Sequence, residues 1–316
     1  MTSTPPAHLH HAQSVPDARP PEGAHPDLTG ALAEWFLATA RPLPWRSPDR
    51  TAWGVLVSEV MSQQTPVARV APIWLDWMDR WPTPTAFAAA PTAAVLRAWG
   101  SLGYPRRALR LQECARVIVD RHGGEVPADE PALLELPGIG TYTAAAVMAF
   151  AFGRRSVVVD TNVRRVLART VGGEALPSPA LTAAEMSRAA TLVPADDAGA
   201  ALWAASSMEL GAVVCTARAP RCTDCPVTAL CAWRAADYPA DTHAARRRSQ
   251  AWAGTDRQVR GKVMAALRAA HEPVPAAVID LVWPDGTQLN RCIAGLVTDG
   301  LIARTGQDYH LPVELA

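Results

Sequence analysis

Short apolar stretches alternate with polar breaks along most of the chain, at a spacing typical of helices. From Leu28 to Tyr238, proline and glycine interrupt the sequence repeatedly, in stretches such as RPLP, WPTP, RHGGEVP and GGEALPSP. Alanine-rich runs at Thr143–Phe152 and Ala198–Met208 favour helix. We therefore predict an all-α fold over Leu28–Tyr238.

The two ends of the chain differ from this helical region. Residues 1–27 are rich in Pro, Ala and His without periodicity, which predicts a disordered tail. Arg246–Arg248 marks a linker, taken as residues 239–255. Residues 256–316 predict two helices, a third at Thr287–Asp299 and a short extended end. That order is compatible with a winged-helix module; the alternative is a docking subdomain without a nucleic-acid role.

Composition limits the partners and the compartment. The 316 residues have a formal net charge of zero, so any contact with nucleic acid must come from local patches and backbone amides. The sequence has neither an apolar run long enough for a bilayer nor a secretory signal. We expect a cytoplasmic protein, and in that reducing compartment grouped cysteines more often hold metal than form disulfides.

The stretch ELPGIG predicts a tight hairpin between two helices. Gly138 and Gly140 permit a turn that presents backbone amides at the start of the next helix. Such amides, together with the positive end of the helix, can bind a phosphate oxygen. A plain helix–helix turn is the alternative interpretation.

Two acids stand out as candidate catalytic groups, and Glu59 is the first. On the predicted helix Ala52–Thr65, apolar residues share one face, whereas Glu59 and Gln63 lie a turn apart on the other. A lone helical glutamate is usually a solvated surface group. Here Gln63 and Gln64 follow it, and their amides can bond to base edges or fill the space that a base vacates.

Asp160 is the second acid, placed after a short apolar run and before VRRVLAR. It predicts an N-cap, and a carboxylate there is held ionised by the helix dipole, as an oxocarbenium-like centre requires nearby. Asn162 can orient that carboxylate or a water molecule. We expect the neighbouring arginines to face phosphates or solvent; they are Arg164, Arg165 and Arg169.

Four cysteines form the pattern C-x6-C-x2-C-x5-C, at Cys215, Cys222, Cys225 and Cys231. Four thiolates in a short span can hold either zinc or a four-iron cluster. The unequal spacing favours a [4Fe-4S] cluster, with zinc as the less favoured alternative. Arg218 and Arg221 lie in the first loop, where they can present charge to a phosphodiester.

Taken together, these residues resemble the helix–hairpin–helix DNA glycosylase superfamily, and within it the MutY type. The resemblance covers about Leu43 to Tyr238. Its motifs, besides the cysteine quartet, are LPW (Leu43–Trp45), SEVMSQQT (Ser58–Thr65), LGYPRRAL (Leu102–Leu109), LPGIGTYTA (Leu136–Ala144), VVDTNVRRVLAR (Val158–Arg169) and MELGAVVC (Met208–Cys215).

The resemblance implies a fold and a division into domains. We expect a six-helix barrel domain with the helix–hairpin–helix at residues 45–152. A helical iron–sulfur domain is expected at residues 28–44 and 153–238, and a small C-terminal domain at residues 256–316. The superfamily's MutY type usually carries a Nudix-like C-terminal module, and the segment after Arg248 does not resemble it.

The resemblance also implies roles for individual residues. Glu59 matches the general acid, Asp160 the carboxylate that stabilises the oxocarbenium ion, and Asn162 the amide beside it. Tyr142 occupies the position of the Schiff-base lysine of endonuclease III-type relatives. Gln64 and Tyr104 match side chains that wedge into the opened duplex, and Pro105 departs from a second tyrosine common there. The DNA-contacting set is Gln63, Gln64, Leu102, Tyr104, Gly138, Gly140, Arg218 and Arg221.

The expected activity is base excision from double-stranded DNA by a monomeric enzyme. The resemblance implies hydrolytic removal of adenine mispaired with 8-oxoguanine or guanine. Lys262 is the sole lysine, so the catalytic region lacks an amine for a lyase step. Two alternatives are a thymine or oxidised-pyrimidine glycosylase and a non-catalytic iron–sulfur DNA-binding module.

Overall fold

A computed structural model describes residues 28–246 and 252–312. The predicted disordered tail at residues 1–27 lies outside this part of the chain, as does the centre of the predicted linker. The predicted helical region is confirmed. The helices before the hairpin are α1 (Leu28–Thr39), α2 (Ala52–Ser62), α3 (Val67–Arg80), α4 (Pro84–Ala88), α5 (Thr92–Trp99), α6 (Arg106–His122) and α7 (Glu130–Leu134).

The remaining elements follow the hairpin in order. They are α8 (Thr141–Phe150), α9 (Thr161–Thr170), α10 (Ala183–Leu192), α11 (Asp197–Val213), α12 (Ala232–Ala235), α13 (Asp256–Ala269), β1 (Val274–Pro275), α14 (Ala276–Ile279), α15 (Gly286–Thr298), β2 (Ala303–Thr305) and β3 (Asp308–His310). No helix in the described part of the chain is both long and apolar enough to cross a membrane.

The chain divides into two compact units. Of the described residues, the first unit contains 28–55 and 145–243, and the second contains 56–144, 244–246 and 252–312. The boundaries fall inside α2 and α8, so each of these helices contributes to both units.

The first unit is held together by an apolar core and a buried ionic cluster. Leu32, Val166, Trp203 and Leu210 belong to the core formed by α1, α9 and α11. At the edge of this core Glu209 is 1% exposed and accepts hydrogen bonds from two arginines, Arg41 at 2.6 and 2.8 Å and Arg46 at 2.9 Å. Burial alone would raise the pKa of Glu209, but these bonds outweigh it and lower the pKa. The ion cluster thus ties the segment after α1 to α11.

The second unit has an aromatic core. Trp77 is fully buried, and its ring lies 4.9 Å from that of Phe87 and 5.6 Å from that of Trp99. These rings fix α3, α4 and α5 against one another, since large aromatic side chains dominate the packing of such cores. Helix α6 completes this core through Leu111 and Ile118.

The C-terminal segment belongs to the second unit and follows the order helix, strand, helix, helix, strand, strand. Its three strands form an antiparallel sheet in the order β1-β3-β2, with Val274 opposite Tyr309 and Arg304 opposite Tyr309 on the other side. Helices α13 and α15 bury Val263 and Leu296 beneath it. This order is that of a winged helix, and the extended end predicted from sequence is a β-hairpin.

Candidate functional site

Glu59 is buried, and so are the residues around it on every side of helix α2. Every residue from Trp53 to Met61 of α2 is buried, and Glu59 itself is 8% exposed. The amphipathic pattern predicted a polar face here, but residues on both faces are buried. The Glu59 carboxyl accepts a hydrogen bond from the Tyr142 hydroxyl, with 2.8 Å between Oη and Oε2. A buried carboxyl fixed by a phenol is suited to proton transfer.

Gln63 and Gln64 differ in their exposure although they are adjacent. Gln63 is half-buried, and its amide donates to the Thr143 hydroxyl at 3.5 Å. Gln64 is exposed and has a φ of 54°, in the left-handed region. Gln64 therefore points its amide outward from the end of α2, where a ligand can reach it.

The hairpin exposes its glycines and buries its apolar residues. Leu136 and Ile139 are 2% and 7% exposed, whereas Gly138 and Gly140 are exposed. Gly138 has a φ of 79°, and a Cβ there would lie 3.1 Å from the Cβ of Arg110. The loop can therefore take this path only with glycine at position 138. Tyr142 follows in the first turn of α8, so the hairpin and the Glu59 partner belong to one local element.

Asp160 is the N-cap of α9, as predicted. Its Oδ1 accepts from the backbone N–H groups of Asn162 at 2.8 Å and Val163 at 2.7 Å, and its Oδ2 accepts from the Asn162 side chain at 2.8 Å. Burial raises the pKa of Asp160, while these three bonds and the charge of Arg165 lower it in part. The start of the helix thus favours the ionised form of Asp160, as expected, but burial opposes it.

Asn162 connects Asp160 to the beginning of the cysteine segment. Its Oδ1 accepts from Arg165 Nη2 at 2.8 Å, and the same guanidinium donates to the carbonyls of Gly211 at 2.6 Å and Cys215 at 2.7 Å. A Cβ on Gly211 would lie 2.7 Å from the Asn162 Cβ, so glycine is needed for α11 to pass so close to α9. The orientation of the Asp160 carboxylate therefore depends on this packing.

The arginines of α9 bond to protein groups distant in sequence, which the prediction that they face phosphates or solvent did not include. Arg164 binds Glu185 at 2.8 Å, and Arg165 makes the bonds described above. Arg169 is 3% exposed and donates to the Thr216 carbonyl at 2.8 Å. Burial lowers the pKa of Arg165. A run of arginines after an N-cap cannot reveal that each side chain finds a partner distant in sequence.

Arg107 is the residue that sequence reasoning missed. Its guanidinium donates to the carbonyls of Val60 and Gln63 at 2.7 Å each, and to that of Gly103 at 3.2 Å. It thus joins the end of α2 to the loop before α6. Gln64 and Tyr104, both predicted to wedge into DNA, lie in these two segments and have left-handed φ values of 54° and 47°. Such backbone strain persists only where surrounding contacts enforce it, and Arg107 supplies those contacts.

We expect Arg107→Met to destabilise the fold and to weaken binding of a mispaired duplex together. Burial lowers the pKa of Arg107 to about 10, so the group is charged at neutral pH and its loss leaves several buried carbonyls without a donor. The free energy of unfolding should fall by roughly 2–4 kcal/mol. Chemical denaturation and duplex titration measure the two effects. The exposed Arg121 on the same helix is the matched control, and equal behaviour of Arg107→Met and Arg121→Met would contradict the role.

The four cysteines of the quartet line one pocket. Cys215, Cys222, Cys225 and Cys231 are free thiols on its wall, next to Trp233. Within residues 28–246 and 252–312, however, no group of three or more His, Cys, Asp or Glu side chains is arranged to hold a metal ion. The structure therefore shows that the four thiols lie around one pocket, but they are not arranged as a set of metal ligands.

The surroundings of this pocket fit a group ligated by thiolates. Arg169 is buried there, 4.6 Å above the Trp233 ring, and its Nη1 lies 3.3 Å from Cys215 Sγ. The ion pairs of the described residues do not include Arg169. Its other bonds are to backbone carbonyls, so thiolates beside it would supply a negative charge that balances the buried guanidinium.

Three other residues that were predicted to contact DNA differ in their exposure and in their bonds to the protein. Arg218 is exposed in the loop after Cys215. Arg221 is exposed too, but it donates to the Val213 carbonyl at 2.7 Å and lies 3.7 Å from Asp224. Leu102 is 3% exposed, so its side chain is not available to DNA; it anchors the Tyr104 loop, and its carbonyl accepts from Thr65 at 3.1 Å.

Comparisons with known proteins identify the family to which this fold belongs. Residues 57–191 match the family model described as HhH-GPD superfamily base excision DNA repair protein. The chain is 53% identical over 275 residues to the adenine DNA glycosylase of Mycolicibacterium smegmatis, covering 87% of this chain and 92% of the relative. The adenine DNA glycosylase of Mycobacterium tuberculosis is 51% identical, covering 87% and 90%. The human adenine DNA glycosylase is 43% identical over 64% of this chain and 38% of its own length.

Solved structures show the same fold. A thermostable thymine-DNA glycosylase is similar with a TM-score of 0.59 and 29% identity, over 66% of this chain and 95% of its own. A non-covalent endonuclease III–DNA complex is similar with a TM-score of 0.56 and 25% identity, over the same shares of the two chains.

The chain therefore belongs to the HhH-GPD superfamily of base excision DNA repair proteins. Within that class it is a DNA glycosylase of the MutY type, which confirms the resemblance drawn from its motifs.

Proposed function

We propose that this DNA glycosylase binds double-stranded DNA and hydrolyses the N-glycosidic bond of adenine mispaired with 8-oxoguanine or guanine. The observation that carries the proposal is the buried Glu59 carboxyl held by Tyr142. The names of relatives that are 51–53% identical over most of the chain support adenine as the base. Such an acid promotes removal of a purine, because the base leaves more readily once it is protonated.

The first step is the transfer of a proton from Glu59 to N7 of adenine. Tyr142 fixes Oε2 of the carboxyl, so the acid is held in a defined orientation before the base arrives. The adenine must first leave the stack, and a mispair lowers that cost. Protonation withdraws electrons from the glycosidic bond, and the bond then breaks with its electron pair moving to the base.

The second step is stabilisation of the sugar cation by Asp160. The carboxylate is held by two backbone N–H groups and by Asn162, so its position is fixed before the reaction. A fixed negative charge stabilises an oxocarbenium-like centre without reorganisation. Water then attacks the sugar carbon and its proton returns to the Glu59 carboxylate, directly or through solvent, leaving an abasic site, free adenine and a restored acid.

The contact with DNA is assigned to the exposed glycine hairpin and to the loops that carry Gln64 and Tyr104. Gly138 and Gly140 are exposed immediately before α8, where backbone amides favour a phosphate oxygen. Gln64 and Tyr104 are exposed side chains on strained backbone, suited to enter a duplex that has lost a stacked base. We propose that the enzyme acts as a monomer.

The thiol pocket is proposed to hold a [4Fe-4S] cluster through Cys215, Cys222, Cys225 and Cys231. Such a cluster would supply structural cross-linking of the loop after α11, since four ligands close a short segment around one group. Assays of iron and acid-labile sulfide on protein purified without oxygen test this directly. Zinc in stoichiometric amount, with no sulfide, would overturn the proposal in favour of a zinc site.

The activity is tested with three duplexes that differ in one pair. Adenine opposite 8-oxoguanine, adenine opposite guanine and thymine opposite guanine are incubated with excess enzyme, and abasic sites are cleaved by alkali. We expect cleavage at adenine in the first two and none in the third. Cleavage at thymine alone would favour a thymine glycosylase, a name carried by a relative that is 33% identical over 65% of this chain.

The enzyme is expected to be monofunctional, without strand cleavage. A lyase step needs an amine that forms a Schiff base with the sugar, and the sequence has no lysine before Lys262. Position 142, which precedes the buried Thr143 in α8, holds tyrosine instead. Borohydride reduction during turnover should therefore trap no covalent protein–DNA adduct. Efficient trapping on gels, compared with an endonuclease III control, would contradict the prediction.

A further inference from the structure

The C-terminal segment reaches the loop that carries Tyr104. Arg257, the second residue of α13, donates from Nη1 to the Tyr104 hydroxyl at 2.9 Å. The same guanidinium lies 4.9 Å from the centre of the Trp252 ring. Tyr104 and Trp252 are 44% and 51% exposed, so an arginine is placed between two accessible aromatic rings.

Further bonds attach this segment on both sides of the Tyr104 loop. Arg97, near the end of α5, donates to the Ala270 carbonyl at 3.2 Å. Arg106, the first residue of α6, lies 3.2 Å from Asp299, which also binds Arg260. The loop between α5 and α6 is thus bracketed by contacts with α13 and with the end of α15.

Tyr104 is held at its two ends by different arginines. Arg107 fixes the loop backbone through the Gly103 carbonyl, and its guanidinium lies 5.7 Å from the Tyr104 ring. Arg257 holds the hydroxyl. The left-handed backbone of Tyr104 sets the direction in which its side chain leaves the loop, and the hydrogen bond to its hydroxyl limits rotation of the ring. The ring direction therefore depends on the C-terminal segment.

Arg257 does not form an ion pair with the neighbouring Asp256, which binds other residues. Asp256 accepts from Arg291 at 2.7 Å and from Gln288 at 2.9 Å, and these bonds lower the pKa of Asp256 to about 2. The ion pairs of the described residues do not include Arg257. The guanidinium therefore remains available to hold the Tyr104 hydroxyl.

We propose that Arg257 is a positioning residue that holds the Tyr104 ring at the mispair, so that the C-terminal segment takes part in discriminating mispaired from matched DNA. The proposal rests on the proposed function, in which Tyr104 enters the duplex. Trp252 supports it because its ring packs against the same guanidinium.

The test compares Arg257→Ala, Arg257→Lys, Tyr104→Phe and the Arg257→Ala/Tyr104→Phe double variant. Lys262→Ala is the matched control, because it removes one positive charge from the same helix without a contact to Tyr104. The readouts are the ratio of affinities for A:8-oxoguanine and matched duplexes, and the fluorescence of 2-aminopurine placed next to the mispair. The fluorescence reports unstacking by the inserted ring, which overall stability does not change.

Arg257→Ala and Tyr104→Phe should each lower the affinity ratio roughly 3- to 10-fold, as expected for the loss of one solvent-exposed hydrogen bond of ordinary strength. The double variant should lose no more than either single one, because both remove the same bond. Arg257→Lys should restore part of the ratio and of the fluorescence change, and Lys262→Ala should leave both as in the parent.

Additive losses in the double variant would overturn the proposal, as would an Arg257→Ala ratio equal to that of Lys262→Ala. The proposed function fails separately, if the parent enzyme releases no adenine from any duplex. The binding ratio and the fluorescence do not require base release, so they decide the role of Arg257 in either case.

Discussion

Replacing Glu59 with glutamine is expected to lower the single-turnover rate of adenine release by roughly 10²- to 10⁴-fold, the range for loss of a general acid. Glutamine has nearly the same shape and retains an oxygen that can accept the Tyr142 hydroxyl, but it has no ionisable proton to give. The environment of the buried helix should therefore persist while the chemistry stops. The measurement is rapid mixing of excess enzyme with an A:8-oxoguanine duplex, followed by alkaline cleavage.

Two further variants separate the acid from its surroundings. Tyr142→Phe removes the hydrogen bond to Glu59 but leaves Glu59 with its ionisable proton. Its loss of rate should therefore be smaller than that of Glu59→Gln. Glu135→Gln neutralises an exposed acid next to the hairpin and should leave the rate unchanged. Duplex affinity should survive in all three proteins. A Glu59→Gln enzyme with a near-parental rate would remove Glu59 from the mechanism.

Local features of this chain could be predicted from its sequence because their causes are local. Asp160 caps α9 since a short polar side chain can bond to amides two and three residues ahead. The hairpin follows from Gly138, which permits a backbone conformation that other residues rarely adopt. The same holds for the three helices and the extended end of the C-terminal segment, which need only periodicity and breaks, although strand β1 was not predicted.

Features that depend on distant partners could not be predicted. The polar pattern of α2 suggested an exposed face, yet Glu59 is buried and bonds to Tyr142, which is 83 residues away in the sequence. Arg107 is one of two adjacent arginines, and nothing local shows that it bonds to three carbonyls at the end of α2 and just after it, at Val60, Met61 and Gln63. Likewise, a run of arginines in α9 reads as a basic surface until Glu185 is found beside Arg164.

The thiol pocket lies between these two cases. The spacing of the cysteines predicted that they converge, and the structure places all four on one wall. The sequence did not predict that Arg169 is buried beside them, because its position in α9 is far from Cys215 along the chain. That arginine makes the pocket chemically suited to thiolates, and it is the structural reason for favouring a ligated group there.

Replacing Asp160 with asparagine is expected to lower the rate of adenine release by about 10²- to 10³-fold, as when a preorganised charge-stabilising group is lost. Asparagine keeps an oxygen for the amides of Asn162 and Val163, so the cap of α9 should remain. What disappears is the negative charge beside the sugar. Circular dichroism and duplex affinity, compared with the parent, verify that the fold and binding are intact.

The pH dependence of the rate then tests how Asp160 is held. The ionised form is the active one, so the rate should fall as pH drops through the pKa of Asp160, which burial has raised above the usual range. Asn162→Ala removes one hydrogen bond that favours the ionised carboxylate, so it should raise this pKa and move the acid limb of the profile to higher pH. Asn162→Asp would place a second acid there and is not a clean test. An acid limb unmoved in Asn162→Ala, or a near-parental rate in Asp160→Asn, would leave Asp160 as a helix cap alone.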